Sequence, residues 1–228
     1  MTKTVSIPFQ NTKIKGNLHV NRKSKILVII CHGFGDSKDE PNVKRFTELL
    51  SNHTNVFRFT FTDNDKPFLP IEKENIETVV DFFSKKFEEI IILGVSLGGL
   101  STILSVSGNN KIKRLILVNP FTYVFKKVAW KYRKMLISMF LAYPFIKEVR
   151  DNLNFYFKNL KPRLIKIPTL VIVALNDLKV GPIHGKKLFN NLGSLEKKLI
   201  LDKEIDHGVT KESYKKIVIG YINNWLEK

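Results

Sequence analysis

A single cysteine, Cys31, stands in 228 residues, so no disulfide can form within the chain. Arginine is scarce as well: of 38 basic residues, 31 are Lys and 7 are Arg. Base edges and phosphates are read best by the planar fork of Arg. Specific nucleic-acid binding is therefore not expected, and the net charge of +17 reads as a solvated lysine surface. Long apolar runs are missing too. Met135 to Ile146 is the longest mainly apolar stretch, far short of the roughly 20 residues that span a bilayer. The opening "MTKTVSIPFQ" lacks the apolar core of a secretory signal, so a cytoplasmic protein is expected. Repeats and low-complexity linkers are also absent. What remains, 43% hydrophobic and 26% charged residues, is the composition of a globular chain long enough for one large domain.

The apolar residues fall into short runs of two kinds. "TVSIPFQ" (4–10) and "KIKGNLHV" (13–20) alternate, as two strands of a hairpin do. "KILVIIC" (25–31), "EIIILG" (89–94), "RLILVN" (114–119) and "TLVIVAL" (169–175) are continuously apolar, the pattern of strands buried on both faces. "NVFRFTF" (55–61) and "KKLILD" (197–202) add two more strands. Helical spacing covers Asn42–His53, Glu72–Phe87, Leu97–Val106, Gly181–Leu192 and Glu212–Leu226. Strands alternating with helices predict a mostly parallel, doubly wound α/β sheet with an N-terminal antiparallel hairpin. Residues 120–167 break the rhythm and read as a helical insertion.

Chemistry enters at "GVSLGG" (94–99), between a buried strand and a helix. A tight strand-to-helix turn strains its central residue and demands small neighbours two before and two after. Gly94 and Gly98 meet that demand. Ser96 would be lifted clear of the sheet at a helix N-terminus, where the dipole and free N–H groups favour developing negative charge. A serine hydroxyl needs a base. Of five histidines, His207 lies in "EIDHGVT", a loop after the last strand that can reach the elbow, whereas His19 and His53 are expected at the solvated surface. The base needs an orienting carboxylate. Asp177 follows a buried strand at its C-terminal end, where open α/β sheets keep their sites. Asp206 is too close in sequence to face the ring of His207, and Asp202 stands as the alternative acid. In "CHGFGDS" (31–37) the backbone N–H of Phe34 is the candidate partner of the Leu97 N–H in an oxyanion hole. His32 would brace that loop, and Cys31 is expected to be buried and inert.

These motifs, "HGFG" (32–35), "GVSLGG", Asp177 in "ALND" and "DHG" (206–208), together resemble the α/β-hydrolase superfamily over nearly the whole chain. The chain order Ser96, Asp177, His207 is that superfamily's order. The closest likeness is to the small esterase, feruloyl-esterase and monoglyceride-lipase-like branch. The chain departs from that branch in "TDNDKPF" (62–68), where an Arg-Gly-x-Gly turn is common, and it lacks the "HGGG" loop of other esterases. The resemblance implies a core of residues 1–119 and 168–228 with a cap or lid at 120–167. It implies a serine hydrolase acting through an acyl-enzyme on a small-molecule carboxylic ester, with short to medium acyl or aryl groups. It implies no metal and no organic cofactor. Thioesters, lipids, amides and small peptides suit the same triad, and a non-catalytic binding protein on this fold is the other reading.

The insertion is rich in aromatics and cations. Residues 121–166 hold 11 of the 25 aromatics, and 11 Lys or Arg against only Glu148 and Asp151. Trp130 and Phe140 are the candidate wall of a substrate pocket. The basic rim is expected to draw the chain weakly to anionic membrane surfaces.

Overall fold

The structure is a computed structural model that describes residues 1–62, 68–122 and 144–227. One eight-stranded sheet runs through it in the order β1-β2-β4-β3-β5-β6-β7-β8. Its strands are β1 (Thr2–Phe9), β2 (Thr12–His19), β3 (Ile26–Cys31), β4 (Asn55–Phe59), β5 (Glu89–Val95), β6 (Ile112–Val118), β7 (Thr169–Ala174) and β8 (Lys197–Asp202). The hairpin β1–β2 is antiparallel, and β2 joins β4 antiparallel. From β4 to β8 every pairing is parallel. Each continuously apolar run thus became a central strand, flanked by neighbours and covered on both faces.

The helices divide between those faces. Helices α1 (Pro41–Ser51) and α6 (Glu212–Leu226) cover one. There Phe46, Leu50, Val218 and Ile222 pack on Val28, Ile30, Ile91, Leu93, Ile116 and Ile172. Helices α2 (Leu69–Phe83), α3 (Leu97–Val106) and α5 (Ile183–Asn191) cover the other. There Ile76, Val80, Phe83, Ile103 and Leu188 meet Leu27, Ile29, Ile92, Leu115, Leu117 and Val171. The strand side chains therefore alternate between two layers, as the two-residue pleat requires. Each such buried aliphatic side chain contributes about 1.5–3 kcal/mol.

Helix α4 (Pro144–Asn159) lies between β6 and β7, followed by a single 3-10 turn at Pro162–Leu164. Its Tyr156 packs with Leu69, Leu100 and Leu104. The helical spacing read from Glu72 to Phe87 is displaced: α2 starts at Leu69 and ends at Phe83. Pro70 suits the first helical turn, where its missing N–H costs nothing. At the other end Lys86 and Phe87 fold back to donate to the Phe83 carbonyl.

Candidate active site

Strand β5 turns into α3 through Ser96, which sits at φ 52° and ψ −119°. That region is sterically costly for a residue with a side chain. The turn is held at both ends by β6 and the segment after it. Ser96 N–H donates to the Val118 carbonyl at 3.1 Å, and the Ser96 carbonyl accepts from Phe121 N–H at 3.0 Å. Two glycines make room. A Cβ on Gly94 would lie 2.7 Å from the Cα of Gly99 and 2.8 Å from the Gly98 carbonyl oxygen. A Cβ on Gly98 would lie 2.2 Å from the His32 carbonyl oxygen.

The structure brings Ser96, His207 and Asp177 together in one hydrogen-bonded line. Ser96 Oγ lies 2.9 Å from His207 Nε2, and His207 Nδ1 lies 2.6 Å from Asp177 Oδ2. The other carboxylate oxygen, Oδ1, accepts from the N–H groups of Lys179 (2.9 Å) and Val180 (3.0 Å). Asp177 is buried with both oxygens engaged. Burial by itself would raise its pKa. The Val180 N–H, His207 and the Lys179 N–H outweigh that and hold it below the usual carboxylate range.

The alternative acid is occupied elsewhere. Asp202 Oδ2 accepts from the Tyr221 hydroxyl at 2.7 Å, and its Oδ1 caps the N–H groups of Glu204 and Ile205. Asp206 is turned onto its own loop, accepting from Thr210 N–H and the Thr210 hydroxyl.

The loop after β3 lies against the serine: a Cβ on Gly33 would fall 3.4 Å from Ser96 Cβ. No hydrogen bond among the described residues engages the N–H of Phe34 or Leu97. His32 is buried beneath this loop. Its Nε2 accepts from Phe61 N–H at 3.4 Å, so the ring proton is assigned to Nδ1, which donates to the Gly33 carbonyl at 2.9 Å. Cys31 is fully buried, and burial pushes its thiol up to about 12. His53 is exposed, but His19 is half-buried within β2 and not at the solvated surface, and burial lowers its pKa.

A cavity of about 390 Å³ opens beside Ser96 and His207. Its apolar wall comes from Ile30, Val43, Phe46, Val95 and Val118, on β3, α1, β5 and β6. Phe34, Asp36 and Lys179 also line it. Trp130 and Phe140, the pocket residues read from the sequence, lie outside the described residues.

Sequence reasoning missed Asn119. It follows β6 at φ 46° and is buried. Its side-chain amide donates to the carbonyls of Asp206 (3.0 Å) and His207 (2.8 Å) and accepts from Ala174 N–H (2.7 Å). Of the four non-glycine residues with positive φ among those described, three are Ser96, Asn119 and Val209. They sit on the elbow, beside it and in the histidine loop. Such clustering of backbone strain is characteristic of functional sites. The one sequence signal for Asn119 was an Asn, tolerant of positive φ, closing an otherwise apolar strand.

Residues 74–228 match the prolyl oligopeptidase family. No curated protein matches the chain at a significant level. Solved structures of the same fold do. Est1E from Butyrivibrio proteoclasticus is 18% identical with a TM-score of 0.72, covering 99% of each chain. Another structure of Est1E has ferulic acid bound. An esterase from Pyrococcus furiosus is 18% identical with a TM-score of 0.76, covering 100% of this chain and 91% of that one. A dienelactone hydrolase from Anabaena variabilis is 15% identical with a TM-score of 0.74, covering 100% and 97%. The fold is that of the α/β-hydrolases. Among the described residues, no helix is long and apolar enough to cross a membrane.

Proposed function

We propose that this chain, which belongs to the prolyl oligopeptidase family, is a serine hydrolase that cleaves carboxylic esters through an acyl-enzyme. The observation that carries the reading is the hydrogen-bonded line from Ser96 Oγ through His207 to a buried, doubly capped Asp177. Ser96 Oγ attacks the ester carbonyl carbon while its proton passes to His207 Nε2. The tetrahedral oxyanion takes hydrogen bonds from the N–H groups of Phe34 and Leu97, which no described residue engages. The carbonyl–alkoxy bond then breaks, and Nε2 returns the proton to the departing alcohol. A water enters, gives a proton to Nε2 and attacks the acyl carbon. Ser96 leaves with that proton, and the acid is released. Asp177 stays ionised throughout, holding the ring's tautomer and offsetting the imidazolium charge.

The apolar wall beside the serine suits a short acyl or an aryl group. The ferulic acid seen on Est1E supports the aryl choice. The family match favours a second reading, hydrolysis of amide bonds in small peptides by the same steps.

The test is fluorophosphonate labelling of the wild type and of Ser96→Ala, followed by panels of p-nitrophenyl esters, feruloyl esters and short proline-containing peptides. Labelling confined to the wild type, with esters turned over faster than peptides, is expected. Undiminished labelling of Ser96→Ala would overturn the assignment, and a preference for peptides would select the second reading.

A further inference from the structure

We propose that Asn119 is a positioning residue that sets the place of His207 between Ser96 and Asp177. The proposal rests on the serine-hydrolase reading of the same site. Asn119 makes no hydrogen bond to any of the three side chains. It acts through backbone: both amide hydrogens are spent on the consecutive carbonyls of Asp206 and His207, at 3.0 and 2.8 Å. Its amide oxygen takes Ala174 N–H at 2.7 Å, and its own N–H donates to the Ile172 carbonyl at 2.9 Å. Both donors and the oxygen of the asparagine amide are thereby engaged.

These four bonds, with those of its neighbours Val118 and Phe121, bring the three site residues to one point of the sheet. Ser96 is fastened to the residues on either side of Asn119–Pro120, through Val118 and Phe121. Asp177 hangs from the end of β7, where its N–H donates to the carbonyl of Ala174. His207 lies five residues beyond the end of β8, and Asn119 ties its loop to the end of β6. Val209, two residues on, is held at φ 50°. A loop strained in this way relaxes unless its neighbours over-determine it. Asparagine is suited to the post because it tolerates φ 46° and offers two donors and an acceptor on a short stem.

The experiment compares Asn119→Ala, Asn119→Ser and Asn119→Asp with the wild type and with Ile222→Ala, a core truncation in α6. Active sites are counted by end-point fluorophosphonate titration, and kcat per titrated site and KM are measured on p-nitrophenyl acetate. Asn119→Asp keeps the oxygen that accepts Ala174 N–H but gives up the pair of amide donors. Expected is a fall in kcat per site of about 10- to 100-fold for Asn119→Ala and Asn119→Asp, the scale of a small misplacement of a catalytic group. KM should stay within about twofold. Asn119→Ser, with one hydroxyl donor, should fall between, and Ile222→Ala should keep full kcat per site. If the Asn119 variants lower the number of titratable sites but not the rate at each, Asn119 is merely structural and the proposal fails. If Asn119→Ala does not fold, full activity per site in Asn119→Asp overturns it equally. A wild type that neither labels nor hydrolyses would instead sink the hydrolase reading, a distinct outcome.

Discussion

Gly98 lies so close to β3 that a methyl group on its Cα would sit 2.2 Å from the carbonyl oxygen of His32. The contact is with backbone, so no side chain can turn aside to relieve it. Gly98→Ala must push the start of α3 away from the loop at 32–35, and Ser96 rides on that start. We expect Gly98→Ala to lose at least about 100-fold in kcat/KM for esters, as misplacement of the proposed nucleophile implies. It should also lose about 1–3 kcal/mol of stability. Gly220, inside α6, has nothing within 4 Å of where a methyl group on its Cα would sit. Gly220→Ala should leave activity intact and raise stability by about 0.5–1 kcal/mol. Thermal melts and steady-state kinetics on the pair check both statements.

The two candidate acids should separate cleanly. Asp177→Asn leaves the ring of His207 without its carboxylate, and the best-studied triad loses about 10⁴-fold from the same change. Asp202→Asn disturbs the contact with Tyr221, whose hydroxyl the Asp202 carboxylate pushes up to about 12. It should cost stability and leave ester turnover within a few-fold of wild type. Parallel kinetics and melts suffice. A silent Asp177→Asn beside an inactive Asp202→Asn would reverse the roles.

The contrast between these two aspartates shows how far the sequence could be read. Asp177 was legible because it ends a continuously apolar run, and a polar residue at that place in a parallel sheet faces the crevice. Asp202 also ends a strand, and its diversion to Tyr221 depends on where α6 lands, which no local pattern states. Ser96 was legible because Gly94 and Gly98 are demanded by close backbone approach, a constraint that leaves its mark at fixed spacing. Asn119 was not, because its side-chain partners are 55 to 88 positions away in sequence. The central strands were plain from their unbroken Ile, Leu and Val. The start of α2 was missed because Pro70 and Leu69 look like a loop until Leu69 is seen packed against Leu100 and Leu104.

Acid should loosen the loop beside the serine. Burial, above all, lowers the His32 imidazole from its ordinary value, against the opposing pull of the Gly33 carbonyl and the Asp36 and Glu40 carboxylates. The folded chain thus binds this proton more weakly than the unfolded chain does. Its contribution to stability is complete above the ordinary imidazole value of about 6.5, shrinks as pH falls from there to the lowered folded value, and then levels. Protonation would also abolish the bond in which Nε2 accepts Phe61 N–H. His32→Gln cannot titrate. Its melting temperature should therefore fall less between pH 7.5 and 5 than that of the wild type, and an identical slope would remove His32 from the account.

Ser96 itself should be a place where stability is given up for function. At φ 52° and ψ −119° a residue with a Cβ is strained, by about 1–3 kcal/mol for such sparsely populated backbone. Ser96→Ala removes the hydroxyl and keeps the Cβ, so the strain stays. Ser96→Gly removes both. Against the relief stands the extra freedom of glycine in the unfolded chain, about 0.5–1 kcal/mol. Both variants lose the hydrogen bond to His207 Nε2, so that loss cancels between them. Ser96→Gly should consequently melt above Ser96→Ala by a few degrees, at about 2–4 °C per kcal/mol for a chain of this size. Both should be inactive toward esters and fluorophosphonate. A glycine variant that melts at or below the alanine variant would mean that the elbow is not strained in the folded protein. The case for Ser96 would then rest on its contact with His207 alone.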